Sequence, residues 1–99
     1  MITKYGDYCI FCGKPREAVH HLIFGSARRK ADEDKLVAPT CNNCHNMGPK
    51  DTKIHGNVMA EKMSKIIGQL AYEKKQVAKG RTEDEAREGF RKRYGKSFL

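Results

Sequence analysis

Two C-x2-C pairs constrain this chain more than any other feature: Cys9-Ile10-Phe11-Cys12 and Cys41-Asn42-Asn43-Cys44, with 28 residues between them. Two such pairs can bring four soft thiolates to one point in tetrahedral geometry, which is the preference of zinc. Free core cysteines have no reason to fall into pairs, and a redox C-x-x-C leaves the second pair unexplained. Cys9, Cys12, Cys41 and Cys44 are therefore assigned to one structural Zn2+. At 99 residues the chain is one domain with a modest apolar core, a size at which folds often draw on a metal or on disulfides. Zinc here staples a hairpin between the two knuckles and couples the folding of that half to metal binding.

The residues around the knuckles set the remaining elements. Gly13 permits the first knuckle's turn. Ala18-Val19-His20-His21-Leu22-Ile23-Phe24 is rich in β-formers and predicts a strand. The polar run Gly25–Lys35 predicts a loop, and Leu36-Val37-Ala38-Pro39 a short second strand ended by its proline. Gly48-Pro49 breaks any helix that starts at the second knuckle. Met59, Met63, Ile66, Ile67, Leu70 and Val77 recur at helical spacing. They predict a long helix from Asn57, its N-cap, to Lys79, with that face buried. Gly80 stops it. Thr82-Glu83-Asp84-Glu85 supplies a capping box for a shorter helix over Glu83–Tyr94, and Phe90 and Tyr94 pack on the long one. The fold class expected is α+β, one domain over 1–99, with a zinc-bound core over 1–56 and a helical C-terminal extension over 57–99.

Lys and Arg number 20 against 12 Asp and Glu, a formal net charge of +8. Such a balance favours a polyanionic partner such as DNA or RNA. Arg28, Arg29 and Lys30, just after the first strand, are the candidate nucleic-acid contacts, suited to backbone phosphates rather than base reading. Arg87, Arg91, Lys92, Arg93 and Lys96 crowd the last helix and tail, and Lys62, Lys65, Lys74 and Lys75 read as a solvated helix face. No apolar run reaches membrane-spanning length and the N-terminus lacks a signal-peptide stretch, so the expectation is no membrane and a cytoplasmic location with reduced thiols.

Since the cysteines close the zinc site, the histidines are free for other work. His20 and His21 lie in the first strand, His45 follows Cys44 directly, and His55 stands in Ile54-His55-Gly56. His-His on a strand, a loop, a second strand and then Cys41-Asn42-Asn43-Cys44-His45 resembles the HNH, or ββα-metal, nucleases, many of which carry two C-x2-C pairs flanking the hairpin. The resemblance covers residues 9–56. It implies a ββα-metal core and hydrolysis of DNA phosphodiester bonds to a 5′ phosphate and a 3′ hydroxyl. It also implies a catalytic divalent ion, Mg2+ or Mn2+, with Zn2+ or Ni2+ left open. Carried over by residue, His21 is the general base, His20 and His45 are ligands of the catalytic metal, and His55 completes the metal site or contacts the phosphate. The wider order, with Ile54-His55-Gly56 and the ending Phe90–Leu99, is similar to phage nucleases of the recombination-enhancement type. That similarity implies a phage or prophage source in a bacterial host cell, with a homodimer or a phage protein partner left open.

Two features depart from a simple transfer. Adjacent strand residues point to opposite faces, so His20 and His21 share a site only where the strand bends, bulges or ends. The family's asparagine near the second strand is missing from Asp32-Glu33-Asp34-Lys35, where Asp34 is the acceptor expected in its place. The same residues also suit a non-catalytic zinc-stapled nucleic-acid-binding module, or a protein-interaction domain that uses the Met59, Met63, Ile66 and Leu70 face.

Overall fold

In a computed structural model describing residues 1–99, Ala18–His21 forms strand β1 and Val37–Thr40 forms strand β2. They pair antiparallel, with Ala18 opposite Thr40 and His21 opposite Val37. One further bond, from Leu22 N–H to Leu36 O at 2.9 Å, continues the ladder. The first strand is thus shorter than the β-forming run 18–24 suggests, because the chain leaves the sheet to bury Leu22 and Ile23.

Pro39 does not end β2 but sits inside it, opposite Val19. Proline loses only its N–H, and its carbonyl still accepts from Ile10 N–H at 2.9 Å. Ile2 N–H reaches Val37 O at 2.9 Å in the same way. The N-terminal segment therefore covers the outer edge of β2, and every residue of that strand is buried.

The connection expected as a loop holds a 3-10 turn, Gly25–Ala27, and a six-residue helix, α1, Arg28–Glu33. A single apolar anchor holds it: Ala31 is fully buried in a core with Ile23, Leu36 and Phe90. One alanine gives no periodicity for a sequence reading to detect.

The long helix α2 spans Val58–Ala78, and Asn57 Oδ1 caps it by accepting from Ala60 N–H at 3.1 Å. Helix α3 spans Glu83–Tyr94 and carries the expected Thr82/Glu85 capping box. Phe90 and Tyr94 pack on α2 through Tyr72, with Tyr72 and Phe90 ring centroids 5.4 Å apart. Because Phe90 also joins the core of α1 and β1, the C-terminal helices and the first half share one apolar interior. No helix is long and apolar enough to cross a membrane.

The face of α2 that is buried differs from the expected one. Met59, Met63, Leu70 and Val77 are exposed, and Ser64, Gly68 and Gln69 are buried instead. The cause is close approach. A Cβ placed on Gly68 would lie 2.9 Å from Ile23 Cγ1 and 3.1 Å from Leu22 Cβ, so the helix sits where only small side chains fit. Gln69 is tolerated inside because its amide donates to Glu73 Oε2 and Ser97 Oγ and its carbonyl accepts from Phe98 N–H.

Asp34 is committed to this packing rather than to the histidines. Its Oδ2 accepts from Arg93 Nε and from Tyr94 Oη, each at 2.6 Å, which ties the end of α1 to the end of α3.

Gly68→Ala tests the close approach. Alanine favours a helix interior over glycine by roughly 1 kcal/mol, yet here overpacking is expected to destabilise the fold by about 1–3 kcal/mol. Urea unfolding measures it, and an unchanged or raised midpoint contradicts the packing described.

Candidate functional site

The sulfurs of Cys9, Cys12, Cys41 and Cys44 lie within 4.8 Å of one another, and all four cysteines are free. Local backbone bonds place them. In the first knuckle Gly13 N–H donates to Cys9 O at 2.9 Å, with Gly13 in the left-handed region at φ +78°. In the second, Cys44 N–H points at Cys41 Sγ at 3.4 Å and His45 N–H donates to Cys41 O at 3.0 Å. The Cys12 and Cys41 sulfurs are 3.5 Å apart, and sulfurs about 2.3 Å from a tetrahedral zinc stand roughly 3.8 Å from each other.

The thiols' electrostatics point the same way. Burial raises the Cys9 thiol, but backbone hydrogen bonds involving Cys41, Phe11 and Cys12 outweigh it and bring it down to about 6. Cys44 is pushed up, first by burial and then by Cys41, Cys12 and Cys9. One thiolate forms readily while Cys12 and Cys44 resist ionising beside it, a conflict that a cation among the sulfurs would relieve. The set can hold a zinc ion.

A second cluster lies beside the first. His20, His45 and His55 offer nitrogens within 4.8 Å of one another. His20 comes from β1, and His45 from a π-helical turn, Asn43–Met47, that follows the second knuckle. The loop after it folds back, so that Ile54 N–H donates to Cys44 O at 2.9 Å and His55 N–H to His45 O at 3.0 Å. Gly48 permits that return, since a Cβ there would lie 2.5 Å from Asn43 O.

His45 Nε2 and His55 Nε2 are 3.1 Å apart, and two nitrogens bound at about 2.1 Å to one ion stand roughly 3.0–3.4 Å from each other. His20 Nε2 lies 2.7 Å from Ser64 Oγ, while its Nδ1 is buried without a hydrogen-bond partner. An orphaned ring nitrogen among three imidazoles fits a bound metal ion better than a self-sufficient polar core. Burial, then His45, His55 and His21, hold His20 down to about 3, and burial, then His55 and His21, lower His45. Neutral imidazole is the ligand form. Behind His55, its Nδ1 lies 3.6 Å from Glu61 Oε2, an ion-pair distance rather than a hydrogen bond.

His21 departs from His20 as strand geometry requires. Its ring turns toward α1, where Nε2 lies 3.1 Å from Asp32 Oδ1 and Nδ1 lies 3.5 Å from Arg28 Nε. Because β1 ends at His21, the ring still reaches a cleft of about 360 Å³ that it lines with Phe24, Arg28, His45, Asn46 and His55. A neighbouring depression is lined by His21, Arg28, Arg29 and Asp32. Lys30 turns away from both, donating to Arg93 O at 2.8 Å.

Three residues at the site escaped the sequence reading. Asp32, not Asp34, addresses His21, and Ser64 and Glu61 stand behind His20 and His55. The acidic run Asp32-Glu33-Asp34 was the signal for the first. Ser64 and Glu61 had none, since only tertiary packing brings α2 to the histidines. Comparisons with protein-family models, curated proteins and solved structures find no match to this chain, so its function has to be read from its own side chains.

Chelation of zinc is expected to unfold the knuckle and hairpin half, seen as lost amide-exchange protection over residues 9–45; protection that persists in metal-free protein contradicts a zinc staple. Acid adds a second test. The unfolded His20 titrates near 6.5 and the folded one near 3. Between those values the unfolded chain binds a proton that the folded chain refuses. Stability present above pH 6.5 is therefore lost as the pH falls. Urea midpoints at pH 7.5 and 5.5 should drop less in His20→Asn than in wild type, and equal drops contradict a buried neutral His20.

Proposed function

We propose that this protein is a metal-dependent DNA endonuclease of the HNH, or ββα-metal, type. The observation that carries the reading is the convergence of His20, His45 and His55 beside a cleft onto which His21 and Arg28 also open. A pure binding module has no need of three clustered imidazoles, one with an orphaned nitrogen.

The side chains divide the work of phosphodiester hydrolysis. An ionised Asp32 only accepts, so His21 donates Nε2–H to it, and Nδ1 keeps the lone pair. That nitrogen is the base that takes a proton from the attacking water. Asp32 orients the ring and favours the imidazolium that results, replacing the family's missing asparagine. Arg28 and Arg29, beside His21, neutralise phosphate charge. His20, His45 and His55 would hold the divalent ion, which would supply charge neutralisation at the phosphate and at the departing oxygen. An all-imidazole set suits Ni2+ or Zn2+ better than Mg2+ or Mn2+, which prefer oxygen ligands. The net charge of +8 suits DNA as substrate. A phage or prophage source in a bacterial host belongs to the same reading through the motif order His20-His21, Cys44-His45 and His55.

Supercoiled plasmid incubated with Mg2+, Mn2+ or Ni2+ tests the proposal. Wild type is expected to nick it only with added metal, and His21→Ala to lose about 10²-fold or more of that rate. A mobility shift without cleavage in every metal favours the zinc-stapled nucleic-acid-binding module instead.

A further inference from the structure

Helix α2 lies outside the segment that carries the histidines, yet one of its side chains determines what His20 can do. Ser64 is 2% exposed, and its Oγ lies 2.8 Å from Leu22 O and 2.7 Å from His20 Nε2. A hydroxyl has one hydrogen, and a carbonyl oxygen only accepts. The Ser64 proton therefore goes to Leu22 O, and the bond to His20 requires the ring to donate from Nε2. A neutral imidazole with its proton on Nε2 carries a bare lone pair on Nδ1. That is the buried nitrogen without a partner. With Nε2 occupied, Nδ1 is the atom His20 has left to offer His45 and His55, whose ring centroids lie 5.2 Å and 5.1 Å from its own.

We infer that Ser64 is a positioning residue that locks His20 in its Nε2–H tautomer and so presents Nδ1 as a metal ligand. The ligand half of this inference rests on the metal site proposed above, whereas the tautomer follows from the hydrogen-bond geometry alone. The residue type fits the task. A helical serine commonly bonds back to the carbonyl four residues earlier, but Ser64 reaches across to Leu22, at the end of β1. It can do so because Gly68, one turn on, lets the helix come within contact distance of Leu22 and Ile23. An alanine there would fill the space without a hydroxyl to donate to Leu22 O and accept from His20. Outer hydrogen bonds of this kind typically fix the orientation of a ligating histidine and change metal affinity by 10–100-fold.

Nitrogen NMR of the histidine rings, in full-length protein given one equivalent of Zn2+ to fill the cysteine site, reads the tautomer directly. The expected wild-type spectrum shows His20 protonated on Nε2 only, and Ser64→Ala is expected to lose that preference. Titration of the same samples with Ni2+ is expected to show about 10–100-fold weaker binding in the variant. A wild-type His20 protonated on Nδ1 overturns the inference, and that spectrum decides the matter even where the variant does not fold. Folded Ser64→Ala that binds Ni2+ as tightly as wild type also overturns it. Wild type with the Nε2–H signature but no Ni2+ binding removes the metal site and the endonuclease reading, while the tautomer lock stands.

Discussion

The close seating of α2 against the end of β1 is the constraint on which the rest of the structure depends. Gly68 leaves no room for a side chain between the helix and Leu22 and Ile23. Ser64, one turn earlier, can then bond both the Leu22 carbonyl and the His20 ring. Glu61, three residues before that, faces His55. The same seating carries α3 inward, where Phe90 closes the core over Ile23, Ala31 and Leu36. A helix about one methyl group farther away would leave the small sheet with one face open and His20 without its hydroxyl partner.

Electrostatics divide the molecule into a region that is internally neutralised and one that is not. At the end of α1, Asp34 and Glu33 take up Arg93, Arg29 leans on Glu33, and Lys30 donates to Arg93 O near the end of α3. Arg87 pairs with Glu73. Much of the basic tail is thereby spent on structure. The thiol and imidazole clusters are different: burial pushes the Cys44 thiol up and keeps His20 and His45 from taking protons, while Glu61 stands 3.6 Å from His55 Nδ1. A zinc ion among the four cysteines would resolve the conflict among the thiols there.

The parts of this fold that were legible in the sequence are those set by nearby residues. The knuckles, the strand–strand order, the Asn57 cap and the Thr82–Glu85 box all follow from spacings of a few positions. Helix α1 was missed because a single buried alanine holds it. Pro39 was expected to end a strand that it continues, because the bond to Ile10 needs only its carbonyl. The face of α2 was misassigned for a different reason. Periodicity ranks positions by apolar size, whereas a helix pressed against a strand end selects for smallness, so Ser64 and Gly68 are inside and Met59 and Met63 outside. At the site, the histidines could be singled out one by one, but Asp32, Ser64 and Glu61 become partners only through tertiary contacts.

The return loop after the second knuckle has one further consequence. His45 and His55 are hung by backbone hydrogen bonds from Cys41 and from His45 itself, with Ile54 pinned to Cys44. Two of the three imidazoles thus have no fixed position until the sulfur ligands have theirs. The placement of the imidazole cluster depends on the placement of the cysteine cluster. Chains in which the four cysteines are not gathered would lack the imidazole cluster as well, because the backbone bonds that carry His45 and His55 start at the second knuckle.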